Sequence, residues 1–267
     1  MIKKEKEVGI ILSEGDNTED DVNHLENAYR KLRENEPLSK EEENALIEFV
    51  DRSVTCTLNP EMAAKMIDVN KTREDGLTII EIVKDVQVHH HTKSCGKRGC
   101  TSACRFRFPK FPMWNTIITK SQVCDEDEEA KNERIEKNRK VLEKVMNILE
   151  EDDVIEEIMN EYNKEMESID EYRWNRKERI LRVLKLADVE PDDYVKALKE
   201  SSRKGVNVIL ARDIDELYVN NYVPEYLEVW NGNIDWSAVF DFFAVVTYVT
   251  EYFTKDESGT SSFLAEA

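Results

Sequence analysis

The segment VQVHHHTKSCGKRGCTSACRFRFPKFP, residues 86–112, decides how the rest of the chain is interpreted. It places three consecutive histidines and three cysteines close together and then alternates basic with aromatic residues. Five cysteines in 267 residues are too few for a disulfide scaffold. The cluster therefore indicates a metal site rather than disulfide bonds.

Zinc is the metal that this pattern favours, because structural zinc takes four nitrogen or sulfur ligands in a tetrahedron. Histidines one residue apart share a face of an extended backbone, and a cysteine four residues later can turn back onto the same ion. Gly96 and Gly99 give the loop the freedom to do so. Of the donors in the segment, His90 and Cys100 are the ones that we expect not to bind. The predicted ligands of a structural zinc ion are His89, His91, Cys95 and either Cys100 or, as we favour, Cys104.

Two other interpretations of this segment stay open. The first is a basic loop with incidental cysteines. The second is a magnesium or manganese site of the His-hydrophobic-His nuclease type, with Gln87, His89 and His91 on one strand face. The middle position of that motif is normally hydrophobic, and here it is His90. Magnesium or manganese is therefore expected only if the chain is active as a nuclease.

Charge is distributed unevenly along the chain, which has 57 acidic and 38 basic residues and a net charge of −19. Residues 86–124 contain no acidic residue and seven basic ones. Contact with nucleic acid must then be local, because the whole surface is too acidic to coat DNA or an anionic membrane. Interleaved basic and aromatic residues are typical of single-stranded DNA binding, and they fit a half-buried strand almost as well. The predicted DNA-binding residues are Lys97, Arg98, Arg105, Arg107 and Lys110.

Several classes of protein are not expected from this sequence. It has no apolar run of about 18 residues and no secretory signal. It also lacks the glycine-rich motifs that cradle phosphates. We expect a soluble intracellular protein with no membrane partner and no nucleotide hydrolysis.

Hydrophobic periodicity predicts an α+β chain that is mostly helical. A small zinc-stapled segment is expected between an N-terminal helical part and an aromatic-rich C-terminal part. The predicted regions are 1–85 (helical), 86–124 (basic, zinc-binding), 125–204 (acidic, helical) and 205–267 (the two-tyrosine region of an initiator-like domain).

Individual elements are predicted from local patterns. Two amphipathic helices are expected over 16–52, separated by Pro37 and a capping box, Ser39-x-x-Glu42. The segment 77–88 is rich in β-branched residues and fits a strand or a helix. Further elements are expected as helices over 125–160, from Trp174 to Ala187 and after Pro191, and as a buried strand over 206–210.

A pair of tyrosines near residue 250 suggests phosphodiester chemistry. Tyr248 and Tyr252 lie four residues apart and Lys255 follows three residues later, so a helix would place them on one face. A tyrosine phenolate can attack a DNA phosphate, and a nearby lysine can lower the pKa of the phenol and bind the phosphate. An aromatic pair with this spacing is more often part of a core. Spacing alone leaves both interpretations open.

Several segments together resemble the Helitron-type rolling-circle transposases, large mobile-element proteins that join a His-hydrophobic-His nuclease to a helicase. The segments are EEENALIEFVDRSVTC (41–56), VQVHHHTKSC with CRFRFPKFP (86–112), and YVPEYLEVWNGNIDW with AVVTYVTEYFTKDESG (222–259). In this resemblance Tyr248 and Tyr252 match the strand-transfer nucleophiles, with Lys255 beside them. The residues that match the family's Cys/His element are His89, His91, Cys95 and Cys104.

The resemblance implies a nuclear protein of rolling-circle replication that binds single-stranded DNA. The nuclease metal motif and the helicase of the family have no counterpart in this sequence. We therefore expect a fragment of such an initiator, one that works with a separate nuclease or helicase chain. Nicking endonuclease or strand-transferase activity is implied, but it is expected to be incomplete on this chain. The alternatives are a non-catalytic, zinc-stabilised nucleic-acid-binding module and an acidic protein-interaction remnant.

Overall fold

The computed structural model describes most of the chain between residues 19 and 236. The described residues are 19–34, 36–59, 76–92, 95–97, 100–104, 106–120, 127–162, 169–200, 206–230, 232–234 and 236. The chain divides into two compact units, and the boundary between them falls after Leu46. None of the described helices is long and apolar enough to cross a lipid bilayer.

The first unit contains helix α1, Glu19–Arg33, and the start of helix α2, Lys40–Ser53. A capping box begins α2, since the Glu42 N–H donates to Ser39 Oγ (3.3 Å) and the Ser39 N–H donates to Glu42 Oε2 (2.7 Å). Lys31 of α1 also donates to the Glu42 carboxylate at 2.8 Å. The prediction of two helices separated by this capping box is confirmed.

The segment 77–88, whose sequence fits a strand or a helix, contains helix α3, Ile79–Val86. The Glu81 N–H donates to Thr78 Oγ1 (3.4 Å) and the Thr78 N–H donates to Glu81 Oε2 (2.7 Å), which completes a second capping box. The buried side chains of α3 follow helical spacing rather than strand alternation. They contribute to the first core cluster, whose other members include Val50, Val54, Cys56, Leu210, Val219, Tyr222 and Leu227.

Four helices follow in the acidic part of the chain. They are α4 (Glu128–Leu149), α5 (Asp152–Tyr162), α6 (Ile169–Leu186) and α7 (Pro191–Glu200). Their apolar faces form the second core cluster, which includes Met113, Val145, Leu149, Ile158, Ile180, Leu184, Tyr194 and Leu198. The predicted helices in this part of the chain are therefore confirmed.

Two small antiparallel sheets supply the strands. In the first, β1 (Gly96–Lys97) pairs with β2 (Cys100–Cys104), and in the second, β3 (Ile117–Lys120) pairs with β4 (Val206–Ile209). The strand predicted over 206–210 is present, but β4 is only partly buried, because among the described residues it pairs with β3 alone. Helix α8, Pro224–Trp230, follows. The described chain is thus mostly helical with minor β structure, as predicted.

Residues 210–222, which we call the central segment, hold the second unit together. This segment makes backbone hydrogen bonds or antiparallel bridges to three stretches that are distant in the sequence, around residues 55, 88 and 110–113. The backbone pairs are Thr55 with Tyr222, Val88 with Val219, Lys110 with Leu217, and Met113 with Arg212. Residues 86–112 contact the central segment near both of their own ends, through Val88 and Lys110. The conformation of the central segment therefore positions the Cys/His cluster.

Buried charges fix the conformation of the central segment. Arg179 of α6 donates to both carboxylate oxygens of Asp213, through Nε at 3.0 Å and through Nη2, and both side chains are fully buried. The Arg212 guanidinium donates to the carbonyl oxygens of Glu216 and Val219. The Glu216 carboxylate accepts from the N–H of Asp213 (2.9 Å) and from Thr57 (2.8 Å). These bonds compensate the charges for their loss of hydration.

Replacing Arg179 with Met should lower the free energy of unfolding by about 3–5 kcal/mol, because Asp213 would keep its buried charge without a counter-ion. Adding Asp213→Asn should recover part of that loss, since the Asn oxygen can still accept from the Ile214 N–H (2.8 Å). Chemical denaturation measures both changes. Arg139→Met on the exposed face of α4 is the control and should have a far smaller effect. Equal losses for Arg179→Met and Arg139→Met would contradict this account.

Candidate metal centre

The two histidines of the predicted site are held in extended backbone beside the central segment. The His89 N–H donates to the carbonyl oxygen of Tyr218 at 2.7 Å, and Val88 pairs with Val219. Side chains alternate along extended backbone, so His89 and His91 lie on the same face. His90, between them, lies on the opposite face and is exposed.

The two cysteines come together at the open end of the β1–β2 hairpin. Gly96 pairs with Cys104, so Cys95, immediately before β1, lies next to the end of β2. A turn orients Cys95, because its N–H donates to the Thr92 carbonyl oxygen (3.0 Å) while its Sγ accepts from the Thr92 N–H (3.2 Å). Hairpin and turn together direct both thiols toward the histidines.

Four ligand atoms converge in this way, one each from His89, His91, Cys95 and Cys104, and all lie within 4.8 Å of one another. The His91 Nδ1 to Cys95 Sγ distance is 3.4 Å, and the His89 Nε2 to Cys104 Sγ distance is also 3.4 Å. Zinc bonds of about 2.0 Å to nitrogen and about 2.3 Å to sulfur at tetrahedral angles put such atoms about 3.5 Å apart. The group could therefore hold a metal ion.

Exposure differs among the four residues. Cys95 is buried, His89 and Cys104 are partly buried, and His91 is exposed. Burial, followed by the neighbouring cationic forms of His91, His90 and Lys110, lowers the pKa of His89. A lowered pKa keeps the imidazole neutral at physiological pH, which is the form that binds metals. The group thus lies at the surface, with one thiol beneath it.

Aromatic rings that sequence reasoning did not identify support the histidines. The Phe108 ring stacks on the His89 ring with centroids 4.4 Å apart and an angle of 8° between the planes. Tyr218 meets His91 edge to face at 5.8 Å. The alternation of aromatic residues was visible in the sequence, but it does not distinguish a ring that packs on a ligand from one that faces solvent. Phe108 is buried, whereas Phe106 is 44% exposed.

The predicted DNA-binding residues fall partly within the described chain. Arg107 is exposed beside the metal group. Lys110 Nζ donates to the Phe106 carbonyl oxygen at 3.0 Å and lies 4.7 Å from the Phe108 ring centroid. The backbone of Lys97 lies in β1. The predicted site residues that lie outside the described residues are Arg98, Arg105, Tyr248, Tyr252 and Lys255.

The structure does not bring Gln87 into the group, which weakens the magnesium or manganese interpretation. Gln87 ends α3 with helical dihedrals, so strand alternation starts only after it. Its side chain is fully buried, and its amide can donate to the Ile234 carbonyl oxygen (3.0 Å) and accept from the Ile234 N–H (2.9 Å). Thiolates and imidazoles also favour zinc over magnesium or manganese, which prefer oxygen ligands.

Cys56 has a different role from the cysteines of the metal group. It lies fully buried in the first core cluster, and burial raises the pKa of its thiol to about 12. Its Sγ donates to the Ala211 carbonyl oxygen at 3.4 Å. Cys56 is therefore a small core residue that also contacts the central segment.

Comparison with family models, curated proteins and solved structures finds no match to this chain.

We expect the purified chain to contain about one zinc ion per molecule by elemental analysis. His91→Ala and Cys104→Ser should each lower the zinc content strongly, because each removes one of four ligands. His90→Ala and Cys100→Ser are matched controls within the same segment and should retain zinc. Cobalt in place of zinc should show thiolate-to-metal absorption that is strongly reduced in Cys104→Ser, because one of the two thiolates is lost. Full zinc content in both ligand variants would rule out this ligand set.

Proposed function

We propose that the chain is a single-stranded-DNA-binding piece of a Helitron-like rolling-circle replication initiator, and that a structural zinc ion stabilises its DNA-contacting segment. The observation that carries the proposal is the convergence of two histidines and two cysteines inside the acid-free region, residues 86–124. A protein of this kind would act on DNA in the nucleus, as the family resemblance implies.

Zinc would have a structural rather than a hydrolytic role in this proposal. Four protein ligands fill a tetrahedral site, whereas a catalytic zinc keeps one position for water. The β1–β2 hairpin is short, with strands of two and five residues. Such a hairpin has little apolar surface to bury, and an isolated one is marginally stable at best. Zinc would bind Cys95 and Cys104 at the hairpin together with His89 and His91. It would thereby join the hairpin to the backbone at His89, which is hydrogen-bonded to the central segment.

The surface next to the metal group has the chemistry that single-stranded DNA requires. Phe106 offers an exposed ring on which a base can stack, and Arg107 and Lys110 supply cations for the adjacent phosphates. Elsewhere the chain is strongly acidic, with a total net charge of −19. Repulsion by the acidic surface would restrict DNA to this side of the molecule.

The proposal assigns strand transfer to Tyr248 and Tyr252, with Lys255 beside them, on the basis of the family resemblance. Phosphoryl transfer of this kind needs a metal that polarises the phosphate and orients it for attack. A zinc site with four protein ligands leaves no position for substrate. Magnesium or manganese would then come with a separate nuclease chain, and a helicase chain would be a further partner.

Binding to single-stranded DNA should weaken steeply as salt is added, by about 0.7 in log K per log salt for each phosphate contacted. Arg107→Gln with Lys110→Gln should reduce that slope by about 1.4, because two contacts are lost. Fluorescence anisotropy of a labelled oligothymidylate measures the slope. The control is Lys137→Gln with Lys140→Gln on α4, which should leave it unchanged. A chain that contains zinc but shows no salt-dependent binding would refute the proposal.

Incubation with single-stranded DNA and manganese should give no covalent adduct from this chain alone, because the nuclease metal site is assigned to a partner. A denaturing gel measures the adduct. A second reaction, which also contains a chain with a His-hydrophobic-His site, is the positive control. Any adduct formed there should disappear in Tyr248→Phe/Tyr252→Phe while DNA binding persists. Loss of binding in parallel with the adduct would mean that the tyrosines are packing residues. An adduct from the chain alone would show that its active site is complete.

A further inference from the structure

A second candidate site lies in the second unit, in a cavity of about 150 Å³. Polar side chains from the end of α2, the loop before β3, and α6 line its wall. Those that matter here are Asp51, Thr55, Asn115, Thr116, Arg173 and Arg176. A cavity of this size holds on the order of five water molecules, or one small polyatomic ion.

Arg176 is the anomaly in this cavity. It is only 6% exposed, and its Nε is buried without a hydrogen-bond partner. No ion pair joins its guanidinium to any residue within the described part of the chain. Arg179, three residues later on the same helix, is fully buried but has Asp213 as its partner. A guanidinium is always charged, and Asp51 in the same cavity attracts it without forming an ion pair, so the cavity leaves donors of Arg176 available to an anion.

A carboxylate in the same cavity restricts the kinds of anion that can bind there. Asp51 Oδ1 accepts from the Thr116 hydroxyl, whose oxygen in turn accepts from the Ala211 N–H at 2.9 Å. The other Asp51 oxygen is an additional acceptor. Together with Arg173 and Arg176 the cavity carries one net positive charge. Its ligand should therefore be an anion that accepts hydrogen bonds from guanidinium groups and also donates one to a carboxylate.

We propose that this cavity binds free phosphate or a phosphomonoester. Arg176 and Arg173 would donate to the phosphate oxygens, and Asp51 would accept the O–H of the singly protonated phosphate. Sulfate has no such proton at neutral pH, and neither has a phosphodiester within a DNA strand. The proposal thus identifies a site separate from the DNA-binding surface, and it stands whether or not the chain binds DNA.

Isothermal titration of the full-length, zinc-loaded chain with inorganic phosphate tests the proposal, with sulfate as the comparison anion. We expect saturable binding of phosphate that is tighter than binding of sulfate. Arg176→Met should weaken phosphate binding by about tenfold or more, because it removes a charged donor. Lys177→Met removes the same charge from the exposed face of α6 and should bind phosphate as the wild type does. Equal affinity in the wild type and in Arg176→Met would overturn the proposal.

Further variants separate ligand binding from a structural role. In phosphate-free buffer, Arg176→Met should change the unfolding temperature only slightly, because Arg176 makes no ion pair and Arg173 remains to offset the charge of Asp51. A large loss of stability there, with phosphate binding unchanged in Arg173→Met, would mean that Arg176 is structural. Asp51→Asn should reduce the preference for phosphate over sulfate. Oligonucleotides with a 5′-phosphate or a 5′-hydroxyl distinguish a terminal phosphomonoester from free phosphate as the ligand, and failure of both phosphate forms to bind would contradict the proposal.

Discussion

The buried pairing of Arg179 with Asp213 is the interaction on which the second unit depends. Two fully buried charges are compatible with a folded chain only if their hydrogen-bonding groups are matched. The Asp213 carboxylate is matched because it accepts hydrogen bonds from Arg179 and from the Ile214 N–H. This fixes the central segment, whose Tyr218 carbonyl oxygen holds His89 in place. The position of the metal group is therefore a consequence of ionic contacts in the core.

The metal group could be predicted from the sequence because all four residues lie within sixteen positions, 89–104, and local geometry decides their convergence. The central segment could not, because its partners are distant and no local pattern identifies them. Helix α3 stayed undecided because β-branched residues suit either conformation, although its Thr78–Glu81 capping box was present in the sequence. Arg176 was likewise not identified, since its unpaired state emerges only from packing.

In the proposed function, the basic residues around the metal group bind DNA and the acidic residues elsewhere repel it. Helix α5 is acidic and has no basic residue, whereas α4 forms exposed ion pairs within itself, such as Arg139 with Glu136 and Glu143. Such pairs add little stability and leave the excess of negative charge in place. The basic residues around the metal group would therefore face DNA from a molecule that otherwise repels it.

The separation in sequence between the central segment and its partners has a consequence for synthesis of the chain. The Tyr222 hydroxyl donates to the Thr57 carbonyl oxygen across 165 residues, and Thr57 donates to Glu216 across 159. Contacts of such high order form slowly and only after most of the chain exists. During synthesis, the first core cluster therefore cannot form completely until residues 210–222 have emerged from the ribosome. Until then its apolar side chains stay open to contact with water and with other chains, which favours aggregation.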